Sequence, residues 1–219
     1  MNKNILPLSI PYIKDLSNCS VDQVINMIED RGVRRTIDSL NWGDEYPYHP
    51  LTTISLAHTD DTLFIDFFVR SNYLRAVNYK TNDPVEEDSS VAVYLKHPDS
   101  DKSVALFFNC IGTVKGAIVD AQGNKQLIND ADLAGVACYA SCGKRPFNEL
   151  EGLFTWNLSV EIPFSLINIK YVGKPIELMG NFYKCATGTS QPHYLSWMPV
   201  DTPKPTFSRQ DFFGEITLI

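Results

Sequence analysis

Aromatic side chains lie beside polar ones in two stretches of the sequence. Trp42 stands in LNWGDEYPYHP with Tyr46 and Tyr48, and Trp197 stands in HYLSWMP. Flat rings can stack on the C–H faces of sugars, and an apolar cleft with a few convergent polar groups is the general design of a small-ligand site. These stretches favour sugar binding. For Trp42 and Trp197 the sequence leaves open a position in the core, whereas Trp156 alternates with core residues and is expected inside.

Other kinds of chemistry find little support. The sequence contains no GxSxG, HExxH, Walker-type or GxGxxG motif, and no two of its four histidines have metal-ligand spacing. Acidic clusters at 60–61, 86–88 and 130–132 offer the oxygen ligands that calcium prefers, but none has the EF-hand pattern. Solvated turns are therefore the favoured interpretation of these clusters.

The five cysteines are odd in number, so at least one thiol is free or pairs with another chain. Cys138 and Cys142 would lie about 13 Å apart in a strand, at about 3.3 Å per residue, which excludes a disulfide between them. A zinc site lacks a second ligand pair, so small buried or free thiols are the favoured interpretation.

The chain of 219 residues carries 19 Lys and Arg against 26 Asp and Glu, a net charge of −7. Nucleic acids and anionic membranes require a basic face, which argues against both as main partners. No apolar run approaches the roughly 18 residues of a membrane span. The first residues lack the unbroken apolar stretch of a signal peptide. The chain as given is therefore expected in the cytoplasm, or outside it or in the periplasm if an export signal has been removed.

One helix is specified near the start of the chain. Ser20 and Gln23 form a capping box, apolar residues follow at helical spacing, and Gly32 ends the helix. After Gly32 the hydrophobic period becomes two, as in 63–69 and 156–162. Further strands are predicted at 51–58, 73–79, 89–96, 103–110, 112–118, 136–142, 180–186 and 214–218.

Many short strands between turn residues predict an all-β fold, an antiparallel β-sandwich of the immunoglobulin-like or jelly-roll-like kind. The pattern has no linker or repeat, so we expect one domain over 1–219. A helix and a lead-in strand occupy 1–40, and 41–219 forms the sandwich with a tail that wraps the sheet.

Seven segments between 41 and 218, taken in order, resemble the family 9-like carbohydrate-binding modules of bacterial polysaccharide-utilising proteins, some of which are associated with endo-xylanases. The segments are NWGDEYPYHP, YLRAVNYKTNDPVEEDSSVAVYL, FFNCIGT, TWNLSVEIPFSLI, GNFYKCATG, HYLSWMPV and FSRQDFFGEITL.

The resemblance implies a β-sandwich that binds carbohydrate without catalysis, such as the xylan- or cellulose-like ends of plant-type polysaccharides. No cofactor is implied, although calcium is structural in the family and a structural calcium is left open here. Stacking is expected from Trp42, Tyr46, Tyr48 and Trp197. The polar candidates are Arg75, Asn78, Asn109, Arg145 and His193. The oligomeric state is not predicted.

The chain departs from the family pattern where Ala92 replaces a glutamate and where Ser208 and Gln210 replace a histidine and a proline. If those residues contact ligand in the family, sugar binding here is weak or lost. Two alternatives to a sugar-binding module therefore remain. One is a glycan-active enzyme of the endo-xylanase type, and the other is a β-sandwich that has lost its sugar site and binds a protein.

Overall fold

A computed structural model of the chain describes residues 7–219. Its helix α1 (Val21–Arg31) begins where the sequence places it, because the Ser20 backbone N–H donates to Gln23 Oε1 at 2.9 Å. It ends at Gly32, where a Cβ atom would lie only 2.4 Å from the Ile28 carbonyl oxygen. A second helix, α2 (Asp130–Leu133), is a single turn that the sequence analysis did not predict.

The described part of the chain forms fourteen strands. They are β1 Leu8–Ile10, β2 Val33–Thr36, β3 Ser39–Leu40, β4 Leu51–His58, β5 Thr62–Ala76, β6 Ser90–Lys96, β7 Ser103–Asn109, β8 Val114–Val119, β9 Lys125–Leu127, β10 Ala137–Ala140, β11 Phe147–Pro163, β12 Ile176–Ala186, β13 His193–Ser196 and β14 Gly214–Leu218.

The strands of residues 7–219 form two sheets, and the predicted all-β antiparallel sandwich is confirmed. The larger sheet has the order β1-β14-β12-β6-β7-β8-β9, with β13 on β12 and β3 on β13. The smaller sheet has the order β10-β11-β5-β4-β2. One pair departs from the antiparallel rule, since β1 runs parallel to β14. The inner faces of both sheets meet in one core, and Trp156 is fully buried there, as expected.

Each outer face is covered by a different segment. On the larger sheet, aromatic rings of the strands pack against the tail that follows Trp197, which contributes Val200, Phe207 and Phe213. On the smaller sheet, α1 packs its buried residues Val24 and Ile28 against β4 and β5. No helix in the described chain is long and apolar enough to cross a membrane.

Several predicted strands have other bounds in the structure. The stretches 63–69 and 73–79 were predicted as two strands, but they belong to the single strand β5, which ends at Ala76. The strand is continuous because β11 pairs with it along its length, and the pairing resumes after each of two register shifts. The strand predicted at 136–142 ends at Ala140, so Cys142 lies beyond it. All five cysteines are free thiols in the structure.

Candidate functional site

A cavity of about 240 Å³ lies between the outer face of the larger sheet and the tail. Strands β6, β7, β12 and β13 supply its inner wall, and the tail supplies its outer wall. The lining residues are Glu86, Tyr94, Phe107, Lys125, Cys185, Thr187, Tyr194, Pro205, Thr206 and Phe207.

Aromatic rings hold the tail against the sheet and line the cavity. Phe207 stacks on Tyr183, with ring centroids 4.1 Å apart and an angle of 19° between the rings. The Tyr183 hydroxyl also donates to the Phe207 carbonyl at 3.1 Å. Tyr194 and Phe107 flank Phe207 at centroid distances of 6.1 and 6.2 Å. These rings give the cavity flat apolar walls of the kind that pack on C–H groups.

Two residues that line this cavity each carry a buried polar atom with no hydrogen-bond partner within residues 7–219. The atoms are Oε2 of Glu86 and the hydroxyl of Tyr94. The other carboxylate oxygen of Glu86 forms an ion pair with Lys115 Nζ at 2.7 Å, which fixes the side chain. An unpaired buried polar group costs about 1–3 kcal/mol. The site therefore offers a carboxylate acceptor and a phenol that a bound hydroxyl compound would satisfy.

The charge of the cavity is modest at neutral pH. Burial raises the pKa of the Tyr94 and Tyr194 hydroxyls, so both keep their protons. Burial likewise raises the pKa of the Cys185 thiol to about 12, which keeps it neutral. The negative charge of Glu86 is balanced by the positive charges of Lys115 and of the exposed Lys125 at the rim. Such a site suits a neutral ligand rich in hydroxyl groups.

Three of the predicted polar residues instead surround Asp88, which is fully buried. The Asp88 carboxylate accepts from Arg75 Nη1 at 3.0 Å and from Asn109 Nδ2 at 2.9 Å. It also accepts from the backbone N–H groups of Val77 and Asn78, at 3.1 and 3.0 Å. These contacts tie the end of β5 to β7. The structure thus places Arg75, Asn78 and Asn109 in the framework of the fold, outside the cavity lining.

The two tryptophans whose position the sequence left open lie in the interior. Trp42 is 8% exposed and its indole N–H donates to the Thr202 carbonyl of the tail at 2.8 Å. Trp197 is 3% exposed and packs edge-on against Phe182. An exposed indole pair is therefore not formed. Tyr46 lies nearer the cavity, with its ring centroid 4.8 Å from that of Tyr194.

The remaining candidates lie apart from the cavity. His193 is buried and its Nε2 lies 2.9 Å from Lys184 Nζ. Burial lowers the pKa of His193 well below its usual value and that of Lys184 to about 8. Tyr48 packs edge-on against His193 and accepts from the Asn72 backbone N–H at 2.6 Å. Arg145 is exposed between β10 and β11.

None of the residues that line the cavity was predicted from the sequence as a site residue, although signals for some of them were present. Glu86 stood in an acidic cluster interpreted as a solvated turn, and Phe207 stood in a segment of the family resemblance. Phe107 and Tyr94 alternate with the core residues of their strands, which places an aromatic ring on the outward face. An aromatic residue on both faces of a strand predicts that a further layer covers the sheet.

The acidic clusters in residues 7–219 do not bring three acidic side chains together at one point. Among residues 7–219, no group of three or more His, Cys, Asp or Glu side chains is placed so that it could hold a metal ion. Asp88, the buried member of the cluster at 86–88, accepts N–H groups with both oxygens.

Comparison with known proteins adds a family and several related structures. The sequence model of carbohydrate-binding family 9 matches residues 21–218. No curated protein gives a significant match. A crystal structure of a candidate carbohydrate-binding protein from Bacteroides uniformis ATCC 8492 is similar with a TM-score of 0.90 and 27% identity, over 97% of this chain and 98% of that one.

Two structures of a family 9 module from Caldicellulosiruptor kristjanssonii share the fold. The complex with glucose has 13% identity and a TM-score of 0.58, over 97% of this chain and 95% of that one. The complex with cellotriose has 12% identity and a TM-score of 0.59, over 96% and 92%. Since the family model spans nearly all of the sandwich, the chain belongs to carbohydrate-binding family 9.

Proposed function

We propose that the chain binds the end of a saccharide, without cleaving it, in the cavity under the tail. Membership of carbohydrate-binding family 9 supports carbohydrate as the ligand class. The observation that carries the choice of site is the pair of unpaired buried atoms, Glu86 Oε2 and the Tyr94 hydroxyl, in one aromatic-walled cavity.

Each part of the cavity has a partner on a sugar ring. Glu86 accepts hydrogen bonds from adjacent sugar hydroxyls, and the Tyr94 hydroxyl exchanges one with a third. Tyr194 and Phe207 pack on the C–H groups of the ring. The volume of about 240 Å³ is below that of pockets for drug-sized ligands, so it suits a terminal sugar unit better than the middle of a long chain.

The sugar is proposed to have the glucose configuration or that of its pentose analogue xylose, as at the ends of cellulose-like and xylan-like polysaccharides. The complexes of the Caldicellulosiruptor module with glucose and cellotriose support the first of these. Because no exposed indole pair clamps the sugar, we expect dissociation constants in the upper micromolar to millimolar range, about −4 to −6 kcal/mol.

Binding without hydrolysis is proposed because glycoside hydrolysis normally uses two carboxyl groups on opposite sides of the scissile bond. Among the described residues that line the cavity, Glu86 is the one carboxylate. Its Oε1 pairs with Lys115 Nζ at 2.7 Å, and the described lining offers no second carboxyl group for the opposite side of a glycosidic bond.

Calorimetric titration with glucose, xylose, cellotriose and xylotriose tests the proposal. Wild-type protein should release heat with at least one of them, and Glu86→Gln should weaken that binding at least tenfold, as expected for loss of a hydrogen bond to a charged group. Glu87→Gln is the matched control, because Glu87 is the next residue, faces Arg75 at 3.9 Å and does not line the cavity. Equal affinities of wild type and Glu86→Gln would refute the site.

One observation favours a second function, protein binding by a sandwich that has lost its sugar site. Trp42 and Trp197 are both buried, which leaves Tyr94, Phe107, Tyr194 and Phe207 as the rings of the cavity. This function predicts no heat with any of the four saccharides. It also predicts recovery of a specific protein partner that the sugars do not displace.

A further inference from the structure

The opposite side of the molecule holds a second cavity of about 250 Å³. It lies on the outer face of the smaller sheet, beside the C-terminal half of α1, and shares no residue with the cavity under the tail. The lining residues are Glu29, Arg34, Thr53, Ser55, Asp66 and Phe68.

A row of polar residues crosses the sheet at this cavity. Arg34 of β2 pairs with Ser55 of β4, Ser55 pairs with Asp66 of β5, and Asp66 pairs with Ser159 of β11. Directly opposite residues of antiparallel strands share a face, so all four side chains point outward on one line. Ser55, Asp66 and Ser159 are nevertheless buried. A buried acidic residue at the centre of a sheet requires a partner or a function.

Asp66 lacks adequate partners within the described chain. The side chain is 2% exposed, and its Oδ1 has no hydrogen-bond partner. Its Oδ2 accepts only from Asn157 Nδ2, at the long distance of 3.4 Å. The neighbouring Ser159 hydroxyl is unpaired as well. Burial raises the pKa of the Asp66 carboxyl to about 7, against the opposing influence of Asn157 and Arg34.

The charged groups around Asp66 restrict the net charge of a ligand that could bind in this cavity. Arg34 lies at the rim, where Nη2 is 3.6 Å from Glu29 Oε1 and Nε donates to Ser55 Oγ at 3.2 Å. Two carboxyl groups disfavour an anion, and Arg34 disfavours a cation. The described residues here include no third metal ligand beside the two carboxyl groups. The ligand class that fits these groups is a neutral compound with several hydroxyls. Its hydroxyls would form hydrogen bonds with the carboxyl group of Asp66, the hydroxyls of Ser55 and Thr53, and the guanidinium of Arg34.

We propose that this cavity is a second saccharide site, which binds a monosaccharide or a terminal sugar unit through Asp66, Ser55 and Arg34, with the ring of Phe68 beside its C–H groups. It extends the proposed function, because it gives the molecule two separate sugar sites on opposite faces. The two sites share no residue, so each can be removed without the other.

The test uses glucose and xylose as probes and the full chain with Glu86→Gln, which weakens the first site. Binding is followed by NMR through the side-chain amide of Asn157, whose protons face Asp66. We expect this amide signal to shift on titration with one of the sugars, and the additional substitution Asp66→Asn to weaken that binding at least tenfold. Glu161→Gln is the matched control, since Glu161 faces outward on β11, burial raises the pKa of its carboxyl too, and it does not line the cavity.

The outcomes separate the two sites. The second site is supported if Glu86→Gln still binds sugar and if this remaining binding is abolished by adding Asp66→Asn but preserved on adding Glu161→Gln. If Glu86→Gln binds the sugar as tightly as wild type and Asp66→Asn again abolishes that binding, the second site is supported and the first is refuted. An Asn157 signal unmoved by both sugars, or moved only by ethylammonium as a cationic probe, overturns the second site whatever happens at the first. Ser55→Ala serves as a second variant if Asp66→Asn does not fold.

Discussion

Acidic residues in this molecule take different roles according to how many donors reach them. Asp88 is fully buried and accepts four N–H groups, so its charge is compensated and it joins β5 to β7. Asp66 is equally buried and has one weak partner. Glu86 lies between these cases, with one oxygen paired to Lys115 and the other unpaired. A buried carboxylate oxygen that has no hydrogen-bond donor in the fold is one that a ligand can stabilise by donating to it.

Tyr94 and Tyr183 allow this contrast to be measured, because both rings lie in the layer under the tail. The Tyr183 hydroxyl donates to the Phe207 carbonyl, whereas the Tyr94 hydroxyl has no partner in the described chain. Tyr94→Phe should therefore raise the free energy of unfolding by about 1 kcal/mol and weaken sugar binding, and Tyr183→Phe should lower the free energy of unfolding by about 1 kcal/mol. Chemical denaturation measures both. A destabilised Tyr94→Phe would show that the hydroxyl is satisfied without ligand.

Asp66 gives the stability of the protein a defined pH dependence. Burial raises its pKa from 3.8 to about 7, so the folded state holds the proton more tightly than the unfolded state. The resulting stabilisation is complete below about pH 4 and is lost as the pH rises to about 7, with an upper limit of about 4 kcal/mol. Asp66→Asn removes this dependence, so the variant should gain stability relative to wild type over that range.

Denaturation of both proteins at pH 4 to 7.5 checks this expectation. Asp120→Asn is the control, because hydrogen bonds from Asn124 lower the pKa of Asp120, so its contribution to stability changes only below about pH 4 and this variant should keep the wild-type pH dependence over the range. A constant stability difference between Asp66→Asn and wild type across the range would contradict the burial argument.

At the scale of elements, local signals predicted the fold well. The alternation in 51–58 matches β4 residue for residue, and the capping box placed the start of α1. The junction within β5 was missed because its pairing with the distant β11, across two register shifts, holds the strand together. The single turn of α2 was missed because Asn129, whose side chain accepts from the Asp132 N–H, is as typical of a loop as of a helix cap.

The site was harder to predict than the fold because it depends on where the tail lies. Trp42 and Trp197 have the residue types of a sugar platform, but the tail that covers Trp42 is distant in the sequence, since the indole bonds to Thr202, 160 residues away. Small residues also mattered. Ala92 pairs with Phe107 and Tyr183 across the larger sheet and leaves room for their rings and for Phe207. The replacement that the sequence marked as a loss thus makes space for an aromatic layer.

At the scale of the whole molecule, two unlike segments complete one sandwich. The tail covers the larger sheet and α1 covers part of the smaller one. Both cavities lie where a covering segment meets its sheet, and both contain buried polar atoms that the fold leaves unpaired. Strand packing alone would fill these positions with apolar residues, so the polar atoms carry a cost in stability that ligand binding at the two proposed sites would offset.

Thermal unfolding measures that offset for the molecule as a whole. A ligand that binds only the folded state at ten times its dissociation constant adds about 1.4 kcal/mol for each site. For a chain of this size, this corresponds to a rise in Tm of about 3–6 °C for one site and about twice that for two. With glucose or xylose, we expect wild type to show the largest rise, Glu86→Gln and Asp66→Asn smaller ones, and the double variant none. An equal rise in the double variant would mean that the sugar acts on the solvent or binds elsewhere.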